Sequence, residues 1–329
     1  MLLKTPDGLL TEVRDLIADR GPMSRASVRG RLWVLEKGLE LSGSTEPSQN
    51  LWILRAQLGT LDKFDSLFGR DRIEGTFELL GIARNLFENL VWLKLFNKDG
   101  RYGIVFYRQL LDQQKQNTER MIAKITAEAE LFERHSIEDH RALEETVMQA
   151  IHDGADEEAV LAAKAVHDDR VAALDMRVRR SFALYGAAAT FNSYSYQAHI
   201  LREKVIPKHQ DDLTTIQAEL DLLLPRLVTL LDPALLKICN GRWNWRDRAG
   251  DAGMLDHYDF LYSFTSKLLH ATPLNLITEK ELSASEALTM LDYAFVAIGD
   301  LLDEIDKFSF NGKAELILID IGGAEGGAR

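Results

Sequence analysis

The chain is short of the residues that cross-link or interrupt a fold. One cysteine among 329 residues, Cys239, excludes an internal disulfide and a cysteine-rich zinc site. Seven prolines occur, none of them in residues 48 to 206, so 159 consecutive positions lack the strongest helix breaker. No run approaches the roughly eighteen apolar residues that a membrane helix needs, and Met1 to Gly8 lack the apolar stretch of a secretory signal. Positive charge is also in deficit. With 39 Lys and Arg against 51 Asp and Glu, the net charge of −12 has the wrong sign for coating nucleic acid or anionic lipid by bulk charge, which leaves only a local basic patch for that purpose. A cytoplasmic setting is expected, with no membrane partner.

What remains is ordinary globular material. Hydrophobic residues make up 46% and charged residues 27%, which excludes a disordered or collagenous chain. At about 150 residues per domain, the length allows two domains or one with an insertion.

The pattern predicts an all-α multi-helix bundle with a long projecting helical arm. Thr5 before Pro6 caps a first helix that ends near Gly21, and Ser24 is expected to cap a second to about Leu41. Ser48 caps a third. Between Leu79 and Phe96, twelve of eighteen positions are apolar and occupy most of the circumference, which marks a core helix. After Asn97 to Gly100, a helix from Arg101 to Arg134 and another from Ser136 to His152 are expected. Asp153 and Gly154 turn the chain into a long helix from Asp156 to Glu203. A helix from Asp211 to Leu231 is kinked at Pro225, a loop covers Asn240 to Gly253, and helices follow from Asp256 to His270 and from a Ser283/Glu286 capping box to Phe308.

Residues 109–180 carry 26 charges, one aromatic, one glycine and no proline. They read as the arm, helices packed along a narrow seam, with residues 1–108 and 181–321 forming a discontinuous body. Glu315 to Ile321 alternates as one short strand would, and residues 322–329 read as a disordered tail.

Two polar stripes could carry chemistry. Arg84 and Glu88, four apart on the apolar helix, form either an ion pair on its solvent face or the lining of an internal cleft. Asp259, Ser263, Ser266 and His270 share a second helical face with Lys267 at its edge, either an ordinary solvated face or a site. There the helix C-terminus favours a charged imidazole at His270, suited to moving protons. A serine nucleophile is not expected, because Ser266 and His270 lean the same way along one helix. The segment GRWNWRDRAG, Gly241 to Gly250, interleaves Arg242, Arg246 and Arg248 with Trp243 and Trp245. It reads either as a plug on the core or as the rim of a nucleic-acid site. Arg177, Arg179 and Arg180 read as solvated helix surface. No metal motif and no nucleotide-binding glycine motif occurs, so no metal and no cofactor is expected.

The segments ARNLFENLVWLKLF (Ala83 to Phe96) and FLYSFTSKLLHATPLNL (Phe260 to Leu276) resemble the R-x3-E and Y-x3-S-x3-H helices of a family of uncharacterised prokaryotic helical proteins. The helical core of that family is similar to the HEPN superfamily, which includes ribonuclease toxins. The resemblance spans about thirty residues and implies Arg84, Glu88, Tyr262, Ser266 and His270 as the site, with RNA as the partner. Neither segment contains the HEPN nuclease signature, an arginine with a polar neighbour and a histidine four to six residues on. Looser versions occur at Arg134 to His140 (RHSIEDH) and Arg202 to His209 (REKVIPKH).

Two functions stay open. One is an RNA-binding protein or metal-independent ribonuclease, in stress or phage defence, with His270 carrying the proton, Arg84 holding phosphate, Glu88 orienting one of them, and Arg242, Trp243, Trp245, Arg246, Arg248 and Lys267 at the rim. The other is a non-enzymatic scaffold or regulator that forms a homodimer or takes a protein partner through the arm.

Overall fold

A computed structural model describes residues 5–43, 48–69, 75–262, 264–265 and 282–309. All regular structure among them is helical. The chain divides into two compact units, residues 1–109 with 226–329, and residues 110–225.

In the first unit, α1 (Pro6–Ser42) starts where expected, with the Thr5 side chain accepting from Gly8 N–H, and ends at Gly43 in the left-handed region. It does not stop at Gly21. It runs through Pro22 as one helix, and Ser24, expected as a cap, is buried and donates to Asp306 at 3.2 Å. A proline inside a helix removes one hydrogen bond and crowds the preceding turn. Tertiary anchors on both sides of Pro22 hold α1 together: Arg20 reaches Asp303 and Asp306, and Arg25 reaches the carbonyl of Leu61. α2 (Gln49–Phe68) lies antiparallel to α1, as Arg14 to Phe68 O at 3.1 Å and Arg55 to Glu36 at 3.0 Å require.

α3 (Thr76–Lys98) is the predicted core helix, buried at Leu79, Leu80, Ile82, Ala83, Leu86, Phe87, Leu90, Val91, Leu93, Leu95 and Phe96. The last described helix of the chain, Ala284–Lys307, packs against both α3 and α1. It opens with the predicted capping box, formed in both directions between Ser283 and Glu286. It runs parallel to α3 and is tied to it at both ends. Leu282 N–H donates to the Thr76 hydroxyl at 2.8 Å, and Asn97 Nδ2 donates to the Glu304 carboxylate at 2.6 Å and to the Glu304 carbonyl at 2.8 Å. Burial pushes the pKa of Glu304 up, but Asn97, Lys94 and Lys307 together outweigh it and hold the carboxylate below its ordinary range.

α4 (Tyr102–Leu143) begins in the first unit, where Trp52 of α2 stacks on Tyr107 at 3.9 Å. Gly103 allows this close approach, since a Cβ there would lie 2.3 Å from the Gln49 carbonyl oxygen.

In the second unit α4 continues past Ser136, which caps nothing, into a π turn (Glu144–Met148) and α5 (Gln149–His152). No chain reversal comes before the turn at Gly154, and Arg177–Glu138 and His167–Asp139 contacts hold this stretch of α4 along α6 (Glu157–Arg180), which Asp156 caps. The expected continuous helix to Glu203 breaks after Arg180. Leu184 and Tyr185 give their N–H groups to the buried Glu128 carboxylate on α4, at 2.7 and 3.1 Å, and Lys124 pairs with the same carboxylate. α7 (Gly186–Asn192) and α8 (Tyr194–Ile200) follow. A π turn, Leu201–Val205, leads without a break into α9 (Ile206–Leu223), so Pro207 lies within a helical rod and not at a helix end. α4, α6, α7 and α8 close over Ile125, Phe132, Val178, Tyr194 and Leu201.

Pro225 interrupts the rod as expected, in a 3-10 turn before α10 (Leu227–Leu230). α11 (Pro233–Asn240) follows. The stretch expected as loop contains α12 (Trp245–Asp251), capped by Asn244 and packed on α3. α13 (Leu255–His257) leads into a π turn, Tyr258–Tyr262, and the helix Ala284–Lys307 is numbered α14. The predicted strand and tail lie outside the described residues.

Replacing Gly103 with alanine is expected to destabilise the protein by about 1–3 kcal/mol, because backbone and not a flexible side chain must yield. Chemical denaturation of the variant measures the loss, and an unchanged midpoint would show that α2 and α4 do not approach so closely.

Candidate functional site

Arg84 and Glu88 occupy successive turns of α3, and their side chains meet at 2.9 Å, each 27% exposed. The exposure fits neither bulk solvent nor a closed core. Arg84 Nη2 donates to the Tyr262 hydroxyl at 2.8 Å, and its guanidinium lies 4.4 Å from the centre of the Tyr262 ring. Tyr262 stacks on Tyr258 at 4.7 Å, and both rings lean on the fully buried Phe87. Burial raises the pKa of Tyr258, and neighbouring Tyr262 adds to the rise. The arginine is therefore positioned by a carboxylate, a hydroxyl and an aromatic bed.

A second polar chain runs beside it. Asn89 donates to the Asn85 carbonyl and side chain at 2.7 and 2.8 Å, and the buried Thr60 hydroxyl of α2 lies 3.3 Å from Asn89 Oδ1. These amides lock α2 to α3 and leave the Arg84 group at the turn bearing Tyr262. Of the five residues predicted for the site, the structure brings together Arg84, Glu88 and Tyr262. Ser266 and His270 lie outside the described residues, as does Lys267.

The tryptophan-arginine segment is partly spent on packing. Trp243 stacks on Trp92 of α3 at 4.2 Å, and Trp245 meets Trp243 edge-on at 5.7 Å. Trp92 in turn meets Phe96 and Phe106. Arg248, whose side chain is 12% exposed, pairs with Asp251 at 3.0 Å and lies 5.9 Å from the Trp243 ring. Arg246 is exposed and pairs with Asp259 at 3.2 Å, which ties α12 to the turn carrying Tyr262. Arg242 is exposed. Tyr258, Phe87 and Thr60 were not singled out in the sequence. The only available signal was the Tyr258/Tyr262 spacing of four, which one helix face explains equally well.

Burial pushes the Cys239 thiol up to about 11 despite nearby Arg108, so it is not a ready thiolate. Among the described residues no group of three His, Cys, Asp or Glu side chains could hold a metal ion, and no helix is long and apolar enough to cross a membrane. In RHSIEDH, His135 is buried against Tyr194, and neither ring nitrogen has a hydrogen-bond partner. In REKVIPKH, Arg202 pairs with Glu133. His209 lies 3.8 Å from Asp212. No family model, curated protein or solved structure matches the chain.

His135 supplies a pH prediction. Burial first, then Arg177, lowers its pKa below the unfolded value of 6.5. The unfolded chain therefore binds more protons than the folded one just below that value, and stability rises with pH there. The second unit should hold full stability above about pH 6.5 and lose it as pH falls below that value. His135→Leu should flatten this part of the profile, and denaturant midpoints measured from pH 5 to 8 would decide; an equally steep profile in the variant would remove His135 as the cause.

Proposed function

We propose that the protein is an RNA-binding protein, and a metal-independent ribonuclease if His270 completes the group, with its centre at Arg84, Glu88 and Tyr262. The observation that carries this reading is the 2.8 Å contact between Arg84 and Tyr262, which joins the two segments that resemble the helices of the HEPN-like family. A partly exposed guanidinium held on several sides suits one phosphate at a fixed position. In the proposed reaction, His270 takes the 2′-hydroxyl proton and the 2′-oxygen attacks phosphorus. A 2′,3′-cyclic phosphate forms as the bond to the 5′-oxygen breaks, and that oxygen takes the proton back from the His270 imidazolium. Arg84 bears the charge on the phosphate, and Glu88 and Tyr262 keep its plane fixed.

Labelled single-stranded RNA tests this directly by binding and by cleavage in the presence of a chelator. Arg84→Gln should weaken binding or turnover tenfold or more, and Tyr262→Phe, which removes one hydroxyl, about fivefold for a contact worth about 1 kcal/mol. His270→Ala should abolish cleavage while leaving binding. A folded His270→Ala protein with full cleavage would retire the catalytic part, and a wild-type chain that binds no RNA would retire the whole.

One observation favours the scaffold reading. On the helices of residues 109–180, Ile137, Met148, Ile151 and Leu161 are each more than half exposed amid charged residues. Such side chains suit a partner helix or a second copy. If so, Ile137→Ser with Ile151→Ser should convert a dimer seen by light scattering into a monomer, and a wild-type monomer would remove the dimer form of this reading.

A further inference from the structure

Residues 176–202 contain four arginines and no aspartate or glutamate, in a chain with a net charge of −12. Within the same stretch, Phe182 is 88% exposed and Phe191 is 89% exposed, more than any other large hydrophobic residue among those described. Leu184 and Tyr196 are each more than half exposed. α6 packs on α7 and α7 on α8, so the stretch is one contiguous folded segment.

The acidic groups beneath it are already engaged. Glu128 takes the Leu184 and Tyr185 N–H groups and the Lys124 ammonium, and Asp175 accepts from the Tyr194 and Thr190 hydroxyls. Glu138 pairs with Arg177 and Glu133 with Arg202. Arg179 and Arg180 are both exposed at the end of α6, just before the aromatic turn.

The backbone is strained at the same place. Phe182 (φ 53°) and Ser193 (φ 89°) are the two non-glycine residues with positive φ among those described, and both flank α7. Glycine or asparagine would adopt such angles at lower cost. Here a strained position carries a phenyl ring into water, which folding alone does not require.

We propose that this surface of the second unit binds single-stranded RNA, with Phe182, Phe191 and Tyr196 stacking on bases and Arg179 and Arg180 taking phosphates. The charge fits a polyanion, and three of the five exposed large apolar side chains of the stretch are rings, interleaved with Ser181, Thr190, Asn192, Ser193 and Ser195. A membrane wedge would have to desolvate those polar groups. A duplex hides the faces that rings need, so the strand must be single. The ligand class rests on the reading above, but none of the residues is shared with it.

The test uses the full chain, a short labelled oligouridylate, and two variants, Phe182→Ser with Phe191→Ser and Arg179→Glu with Arg180→Glu. Both alter exposed side chains, and circular dichroism confirms that each is folded. Removing the two rings should raise Kd tenfold or more, and the charge reversal should also flatten its dependence on salt. Weaker binding to a duplex of the same length supports the single-strand form. RNA binding with unchanged Kd in both variants overturns this proposal and leaves the Arg84 reading standing, whereas a wild-type chain that binds no RNA overturns both. If the wild type sediments with phosphatidylglycerol vesicles, the variants do not, and RNA binding is equal in all three, the surface belongs to a membrane and the proposal fails.

Discussion

The first unit depends on the enclosure of α3. With eleven of its twenty-three residues buried, the helix has almost no face turned to water, so each polar side chain on it needs a partner from a neighbouring element. Three such partnerships form: Asn85 and Asn89 with Thr60 of α2, Arg84 and Glu88 with Tyr262, and Lys94 and Asn97 with Glu304 of α14. A buried polar group left unpaired costs about 1–3 kcal/mol, so each partnership penalises a sliding or rotated alternative that apolar contacts alone would tolerate. Hydrophobic burial drives α3 inward, and these polar joints select one arrangement around it.

The same enclosure shapes the candidate site. Arg84 cannot swing freely, since Glu88 and Tyr262 hold its guanidinium and Phe87 supports the ring beneath. Such a group loses little further freedom when it meets an anion, which is the physical meaning of preorganisation. Glu88 also neutralises it, so an incoming phosphate competes with a carboxylate already in place. The arrangement therefore favours orientation over affinity.

Local signals in the sequence led to local structure. Thr5 before Pro6 and the Ser283/Glu286 box cap helices as read, because such caps are decided within four residues, and Asp156 caps the helix expected to begin there, whereas Ser24 and Ser136 lie inside longer helices. The core character of α3 was legible from composition, and the Arg84–Glu88 pair from spacing. What could not be read was set from far along the chain. α1 continues through Pro22 because Asp303 and Asp306 hold it, the long helix ends at Arg180 because Glu128 takes two N–H groups beyond it, and α12 forms where Trp243 docks on Trp92. Nor does a sequence say whether an apolar residue is covered: Phe132 and Phe182 look alike in the chain, yet one is fully buried and the other stands in water.

That difference bears on how a strongly acidic protein could meet a polyanion at all. Long-range repulsion falls off over about 8–10 Å in physiological salt, so local charge decides contact once a strand arrives. In the second unit, carboxylates near the aromatic turn are bound to tyrosine, backbone N–H groups, lysine or arginine, which leaves the turn itself free of acidic side chains. On the proposed reading, net charge would set a barrier to indiscriminate binding, while the arginines without an acidic partner would set where binding succeeds. On the two proposals, affinity and chemistry would be separable properties: the rings and arginines of the second unit would hold a strand by its general features, and the compensated arginine of the first would take a phosphate. A site built around Arg84 pays for displacing Glu88 with each anion it takes, so its selectivity rests on orientation within the first unit and not on the strength of one ion pair.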